Sequence, residues 1–581
     1  MHISLKKFTA LTLTGILTLS PITTVQAQEP AHPFAVTTQT AMATAEQLLD
    51  ALSIAGLTVA VVDIDSGFRW LQGFGYSHVY EQVPVTADTL FNIGSVAKVF
   101  TAVAIMQLVE AGKLDLDEPI VTYLPEFSLL PNPVHGGDSN NITTRMLLSH
   151  VSGIHDFHGD TFFVTDGSGQ DRYFSNRLLD HLSRLHMQNE EVNRITYSNT
   201  GFGILGILVS RLTGAHNYFD GFVSHTDTNI FAPLGMTNSS FAITDSNRAY
   251  IANPYSDATT PIDHFIYVSD TAAGGMVSTA TDMATFMEAM LTDGAGILTA
   301  QTISEMATVQ DWGIAVPAAM EFGLGIFHLT QADGSVLVGH GGNLQHHSNM
   351  ILDFNNGIGV FVSGNSVGAS AGSIMLSSSI WQAAVLEKTG IPVVAIDPTA
   401  TPYEPSEVTL TRQEMEALTG WYTLLDQLII SDEGVLTFPQ VPGLPTPLEL
   451  IPMSDGTFAT DFGSFSFREY DGTLFVFQGH IEAGERINVS PASSDFAQWL
   501  GTYYDSNGEP GLTVDINEYG LIAMNYPDLG DIIFIANYLG DGMVHFPGKM
   551  SRFGSVGQFR LEDGVAVFYY SGMVLTRLDT E

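Results

Sequence analysis

Cysteine is absent from all 581 residues, which excludes disulfides, thiolate nucleophiles, cysteine metal sites and a lipid-modified cysteine at a mature N-terminus. Basic residues are scarce: 20 Lys and Arg stand against 62 Asp and Glu, a formal charge of −42. Such a surface repels nucleic acid and anionic lipid headgroups, so binding to either is not expected. It suits salty water, where counterions screen the self-repulsion. Long apolar runs are missing too. The run from Phe8 to Leu19 is shorter than the ~20 residues that span a bilayer, and no later segment is long and apolar enough.

The N-terminus does carry a basic start at Lys6-Lys7, that apolar run, and Val25-Gln26-Ala27 with small residues at the cleavage positions. This is the pattern of a secretory signal peptide over residues 1–27, cut after Ala27. Cleavage removes two lysines and no acid, leaving 18 basic against 62 acidic residues and a formal charge of −44. A periplasmic or secreted protein, free of the membrane, is expected. The length implies two to four domains, and 45% hydrophobic against 14% charged residues suffices for a large core.

Ala41 to Ala55 reads as an amphipathic helix, and Leu57 to His78 as two strands around the turn Asp65-Ser66-Gly67. Phe322 to Leu329, Val336 to Val338, Asn349 to Phe354 and Ile358 to Val362 read as further strands, the last two joined by the hairpin signal Asn355-Asn356-Gly357. Helical spacing falls on Val96 to Ala111, Thr144 to Ser149, Gly201 to Leu212, Thr281 to Leu291 and Ala371 to Glu387. Strands at both ends and helices between predict an α/β domain over 28–392. Its antiparallel sheet is assembled from the two ends, flanked by helices, and interrupted by an all-helical insertion. The segment IPVVAIDPTATPYEPSEVTLTR has four prolines and no helical period, a linker at 393–411.

Beyond the linker, short β-like runs repeat. Leu418-Thr419-Gly420-Trp421-Tyr422 resembles Leu500-Gly501-Thr502-Tyr503-Tyr504, and Phe467-Arg468-Glu469-Tyr470-Asp471-Gly472 matches Phe559-Arg560-Leu561-Glu562-Asp563-Gly564 at four of six positions. Two small all-β barrel-like modules, 412–492 and 493–581, are predicted. Their aromatic residues serve a β core before any glycan or peptide.

Only four lysines remain after the leader, Lys98, Lys113, Lys388 and Lys549, and Lys98 lies three residues after Ser95 where a Gly-led turn enters a helix. Residues three apart share a helix face, so hydroxyl and amine can meet. Ser95 at a helix start also places its own N–H among the unpaired donors there, useful to a developing oxyanion. A serine hydroxyl needs a neighbour to take its proton, and lysine can do so only where burial lowers its pKa. Tyr197-Ser198-Asn199 stands before the Gly-rich helix start Thr200-Gly201-Phe202-Gly203, and His340-Gly341-Gly342 follows the strand Val336 to Val338.

S-x-x-K, then Y-x-N, then a strand-borne K/H-x-G, in this order, resembles the serine β-lactamase and penicillin-binding family, in its class C, DD-peptidase, D-aminopeptidase and esterase branch. Gly112-Lys113-Leu114-Asp115-Leu116-Asp117, Tyr123-Leu124-Pro125, Arg145 to Gly153 and Ala273-Gly274-Gly275-Met276 agree with it, over about residues 35–390. The resemblance implies that Ser95 is acylated, with Lys98 and Tyr197 sharing its proton. It implies that Asn199 holds the substrate amide or the lysine, and that the N–H groups of Ser95 and Asn343 form the oxyanion hole beside Gly341 and Gly342. His340 takes the cationic place of the third motif, where a histidine is near neutral at pH 7 and grips a substrate carboxylate less firmly than lysine, and there it resembles peptidases and esterases more than true β-lactamases. The C-terminal modules resemble the lipocalin-like domains of some D-residue-specific peptidases. An exported serine peptidase or esterase acting on a small peptide or ester is therefore expected, with no cofactor or metal. A β-lactamase acting on lactams, and a non-catalytic peptide- or wall-binding protein with a relic site, are the alternatives.

Other matches compete. Lys388-Thr389-Gly390 spells the third motif but ends a helical run, where a lysine and a glycine cap belong. His135-Gly136-Gly137 precedes Tyr197, in the wrong order and on a loop. Gly368-Ala369-Ser370-Ala371-Gly372 spells a hydrolase elbow, but Ser370 stands far from the end of its strand and would need His480 or His545. His150, His155 and His158, with Asp156 and Asp160, lack paired-helix metal spacing, and His346-His347 reads as loop, at most lining the cleft.

Overall fold

The computed structural model describes residues 34–154, 156, 163–164, 169–192, 194–314, 321–330, 336–393, 405–423, 425–439, 447–460, 463–470, 472–478, 481–506, 508–526, 533–547, 556–570 and 573–578. The signal-peptide segment, the linker's centre, His155, His158, Asp160 and His480 lie outside the described residues.

Strand β1 (Gly56–Asp63) is buried along its whole length, as its run of β-branched and aliphatic residues requires of a central strand. It pairs antiparallel with β2 (Phe68–His78), which carries the short edge strand β3 (Val83–Pro84). The remaining strands come from the far end of the domain: β4 (Glu321–Phe322), β5 (Phe327–Thr330), β6 (Val336–Asn343), β7 (His347–Asp353) and β8 (Ile358–Gly364). β8 docks on β1, giving the order β3-β2-β1-β8-β7-β6-β5-β4, antiparallel throughout. The sheet is thus built from both ends of the domain, as predicted.

Both faces are covered, and the two-residue period of β1 separates them. Val59 and Val61 pack with Ala41, Ala45 and Leu48 of α1 (Ala35–Ala51) and with Leu376, Ile380 and Trp381 of α6 (Ala369–Thr389). Ala60 and Val62 face the larger core, with Phe100 and Val103 of α2 (Ala97–Glu110), Met287 of α5 (Ala280–Leu291) and the helical insertion that holds α3 (Thr144–Leu148) and α4 (Asn199–Leu212). Each fully buried side chain of this size contributes roughly 1.5–3 kcal/mol.

The K-T-G decoy closes the sheet rather than the site. α6 ends at Thr389 with Gly390 left-handed at φ 72°. Lys388 Nζ reaches Asp63, Asp65 Oδ2 at 2.7 Å and the Asn356 carbonyl, so one cation pins the helix end to the β1–β2 and β7–β8 turns.

The C-terminal region forms two closed eight-stranded barrels, with strands running from Gly420–Tyr422 to Ile481–Ile487 and from Gly501–Tyr504 to Met573–Arg577. Their first strands begin alike. Tyr422 Oη donates to the Leu418 carbonyl at 2.5 Å, as Tyr503 Oη does to Trp499 at 2.9 Å. Arg486 Nη1 donates to Ala417 O at 2.8 Å, as Arg577 Nη1 does to Gln498 O at 2.6 Å. Gly420 and Gly501 both adopt positive φ, 144° and 131°. These contacts equate Leu418 with Trp499 and Tyr422 with Tyr503, one residue away from the pairing of Leu418 with Leu500 read from the sequence. The hydrogen bonds, not side-chain identity, set the register.

Candidate functional site

Ser95 lies in a 3-10 turn, Gly94–Val96, leading directly into α2. Gly94 is left-handed at φ 54°, and a Cβ there would lie 2.9 Å from the Asn343 amide nitrogen. On the facing strand, a Cβ on Gly342 would lie 2.0 Å from the Ile93 carbonyl oxygen and 3.2 Å from the Ser95 nitrogen. Two glycines therefore let β6 run against the turn and bring the Ser95 and Asn343 amides side by side. β6 continues through His340 to Asn343, so the motif lies within the strand rather than after Val338. The turn is braced from below: Asn92 N donates to His346 Nδ1 at 2.9 Å, and Gly94 N to Asn92 Oδ1 at 2.8 Å.

Lys98 is fully buried. Its Nζ lies 3.1 Å from Ser95 Oγ, 2.6 Å from Asn199 Oδ1 and 2.7 Å from the Ala273 carbonyl oxygen. Burial lowers its pKa from 10.5 to about 7, against the opposing pull of Asp156 and Asp270. An amide or carbonyl oxygen can only accept, so in the neutral amine the two N–H bonds go to Asn199 and Ala273. The lone pair is left for the Ser95 hydroxyl.

Tyr197 lies alongside, its ring 4.9 Å from Lys98 Nζ and its hydroxyl near Ser95. Burial pushes the phenol well up, so it keeps its proton at neutral pH. The Tyr197 ring stacks on His150 at 4.3 Å, and His150 Nδ1 accepts the Ser198 N–H at 3.1 Å. His150 holds a left-handed backbone at φ 59°, and burial keeps its imidazole well below the ordinary range, hence neutral.

His340 is buried, and its Nδ1 lies 2.6 Å from the Gly341 carbonyl. A carbonyl only accepts, so Nδ1 carries the hydrogen and Nε2 is an acceptor. Burial, with Lys98 nearby, pushes the ring down to about 3. The third motif thus supplies an imidazole that burial keeps neutral, in the place where a cation would stand. Asn343 is exposed, its Oδ1 2.8 Å from His347 Nδ1 and accepting from Ser370 Oγ at 3.3 Å.

Ser95, Lys98, Tyr197, Asn199, His340, Gly341, Gly342 and Asn343 thus converge on one site. Among the described residues the rival serine does not assemble a site of its own. Ser370 lies in the first turn of α6, and its candidate partner His545 instead meets His135 at 3.2 Å between ring nitrogens. His346 lies in the loop between β6 and β7 and His347 opens β7, and both are buried. Among the described residues no group of three or more His, Cys, Asp or Glu could hold a metal ion, and no helix is long and apolar enough to cross a membrane.

Two acids join the site, Asp156, which the sequence offered only within a discounted metal set, and Asp270, which it did not single out. Asp156 Oδ1 accepts the N–H groups of Asn199 and of Thr200, the latter at 3.3 Å, and Oδ2 accepts Asn199 Nδ2 at 2.9 Å. Asp270 is buried with both carboxyl oxygens unpartnered among the described residues, and burial raises its pKa well above the ordinary value. Asn199 was the available signal, since a buried amide beside a lysine needs something behind it to choose its orientation.

The sequence matches the family model described as Beta-lactamase over residues 42–383. The human mitochondrial serine beta-lactamase-like protein LACTB is 37% identical over 137 residues, covering 23% of this chain and 24% of that protein. Penicillin-binding protein 4 of Amycolatopsis lactamdurans is 33% identical over 226 residues, covering 38% of this chain and 55% of that protein. The chain thus spans about a quarter and about half of these two relatives. Among solved structures, SurE is similar in fold, with a TM-score of 0.55 and 21% identity over 78% of this chain and 99% of that one. An octameric penicillin-binding protein homologue from Pyrococcus abyssi has a TM-score of 0.50 and 18% identity over 93% of this chain and 100% of that one. Residues that converge as the three motifs require, on a fold these structures share, fit the family match: the chain belongs to the beta-lactamase family.

Proposed function

We propose that the protein is an exported serine hydrolase that works through an acyl-enzyme on Ser95, with a peptidase or esterase specificity. The observation that carries this reading is the buried Lys98 amine, titrating near 7, with its lone pair free only toward Ser95 Oγ. Ser95 Oγ attacks the substrate carbonyl and its proton passes to Lys98. The oxyanion forms against the amides of Ser95 and Asn343. Tyr197, protonated and beside Ser95, relays a proton to the departing amine or alcohol. Water then hydrolyses the Ser95 ester. Lys98 rather than Tyr197 is the general base, because the raised phenol pKa leaves almost no phenolate at neutral pH.

The neutral His340 supports a peptide or ester over a lactam, since it offers no charge to a substrate carboxylate. KM for a carboxylate-bearing substrate is expected to stay flat from about pH 5 to 9, and His340→Lys to lower it. A KM that rises through pH 6–7 in the unaltered protein would sink the neutral-imidazole reading. Intact-protein mass spectrometry with an ester, a D-amino-acid amide, a penicillin and a fluorophosphonate tests the whole. The expected result is an acyl mass shift on Ser95, lost in Ser95→Ala; labelling of Ser370, or no adduct from any compound, overturns it. Export predicts a mature chain that begins at Gln28, read by N-terminal sequencing.

A further inference from the structure

We infer that Asp156 is a positioning residue for acylation: it holds the Asn199 amide from behind, fixing Asn199 Oδ1 on Lys98 and aiming the Lys98 lone pair at Ser95. This rests on the reading of Ser95 as nucleophile. An asparagine amide can present either end to an amine, because a neutral amine both donates and accepts. Lys98 alone therefore does not fix the orientation of Asn199. A carboxylate does, since it only accepts: Asp156 Oδ2 takes Asn199 Nδ2 at 2.9 Å, which leaves Oδ1 to face Nζ at 2.6 Å. Asp156 Oδ1 meanwhile takes the first amides of α4, at Asn199 and Thr200, so backbone and side chain of Asn199 are held by one group.

The alternative orientation is harmful. With Nδ2 turned inward, Asn199 would donate to the Lys98 lone pair and withdraw it from Ser95. The ionisable groups facing Lys98 are Asp156, Asp270, Tyr197, His150 and His340. Of these, only Asp156 is seen to hydrogen-bond to the Asn199 side chain. Its negative charge also favours the ammonium form of Lys98, so its loss moves the titration in a known direction.

The test is the second-order rate of fluorophosphonate labelling of the full chain from pH 5 to 9, with the adduct located by mass spectrometry. Unaltered protein is expected to lose reactivity on the acid side as Lys98 becomes protonated. Asp156→Asn keeps the size, removes the charge and inverts the Asn199 amide. It is expected to slow labelling by about 10²-fold on the plateau and to move the acid limb down by roughly one pH unit. Asp156→Glu, which keeps the charge, returns the limb toward its original position. A slowed variant with an unshifted limb means that Asp156 only stiffens its loop, and overturns the inference alone. Unaltered protein that is not labelled on Ser95 overturns the Ser95 reading, and this inference with it. Should Asp156→Asn fail to fold, Asp156→Ser loses the same charge and carries the same expectation.

Discussion

Asp270 sets the most direct test at the scale of one residue. Its carboxyl is sealed against Gly203, where a Cβ would lie 2.4 Å from Oδ2, and neither oxygen finds a partner among the described residues. Its pKa rises well above 3.8, so the folded chain keeps a proton there that the unfolded chain releases. Below pH 3.8 both states are protonated and the group costs nothing. As pH rises from there toward the folded pKa, the unfolded state gains and stability falls. Asp270→Asn removes the titration and keeps the shape. Denaturant unfolding is expected to show the variant close to the unaltered protein near pH 4 and more stable at pH 8 by at least about 1 kcal/mol, one pKa unit's worth. A gap that does not change with pH would show that Asp270 is not the titrating group.

At the scale of elements, the approach of β6 to the Ser95 turn is the least forgiving contact. Gly342→Ala puts a methyl 2.0 Å from the Ile93 carbonyl, so β6 must retreat and take the Asn343 amide with it. Loss of one oxyanion donor costs about 10²–10³ in kcat. Steady-state kinetics should show that loss chiefly in kcat, with a smaller change in KM.

The same elements show what a linear reading can reach. β1, β2, β7 and β8 were legible because apolar and aromatic runs bounded by Asp65-Ser66-Gly67 and Asn355-Asn356-Gly357 name both strand and turn. The Ser95, Lys98, Tyr197 and His340 set was legible because each motif sits at an element's start or on a strand. The run of β6 through Gly341 and Gly342 was not, since glycine is a poor strand former and its pairing with β7 is a tertiary gain. The helix Tyr218–Thr226 was missed for a like reason: its Gly, Ser, His and Thr are weak formers, and Asn217 starts it by capping the Asp220 N–H at 3.0 Å. Asp156 and His150 were illegible as site supports because their roles depend on contacts 43 and 48 residues away.

For the whole molecule, the barrels are tied to the loop that carries Tyr197. Arg194, three residues before Tyr197, is buried, donates to Asn189 Oδ1 and feels the charge of the buried Glu485 in the first barrel. In the second barrel His545 meets His135 and also lies within the field of Arg194. Glu485 is buried, and neutralising it leaves the buried Arg194 cation less well compensated. Glu485→Gln is expected to lower the melting temperature, to expose the barrels to limited proteolysis, and to reduce turnover as the Tyr197 loop loosens. Unchanged proteolysis and unchanged turnover would separate the barrels from the site. The formal charge of −42 adds a second expectation: the melting temperature should rise from low salt to ~1 M NaCl, where the screening length falls to about 3 Å.

The scarcity of lysine gives the buried amine at residue 98 a spectroscopic use. The full sequence has six lysines, so isotopic labelling at lysine alone yields at most six side-chain signals. The resonance whose chemical shift inflects near pH 7 reports Lys98. Proton occupancy during acylation can then be followed atom by atom, without a chromophoric substrate and before the natural one is known.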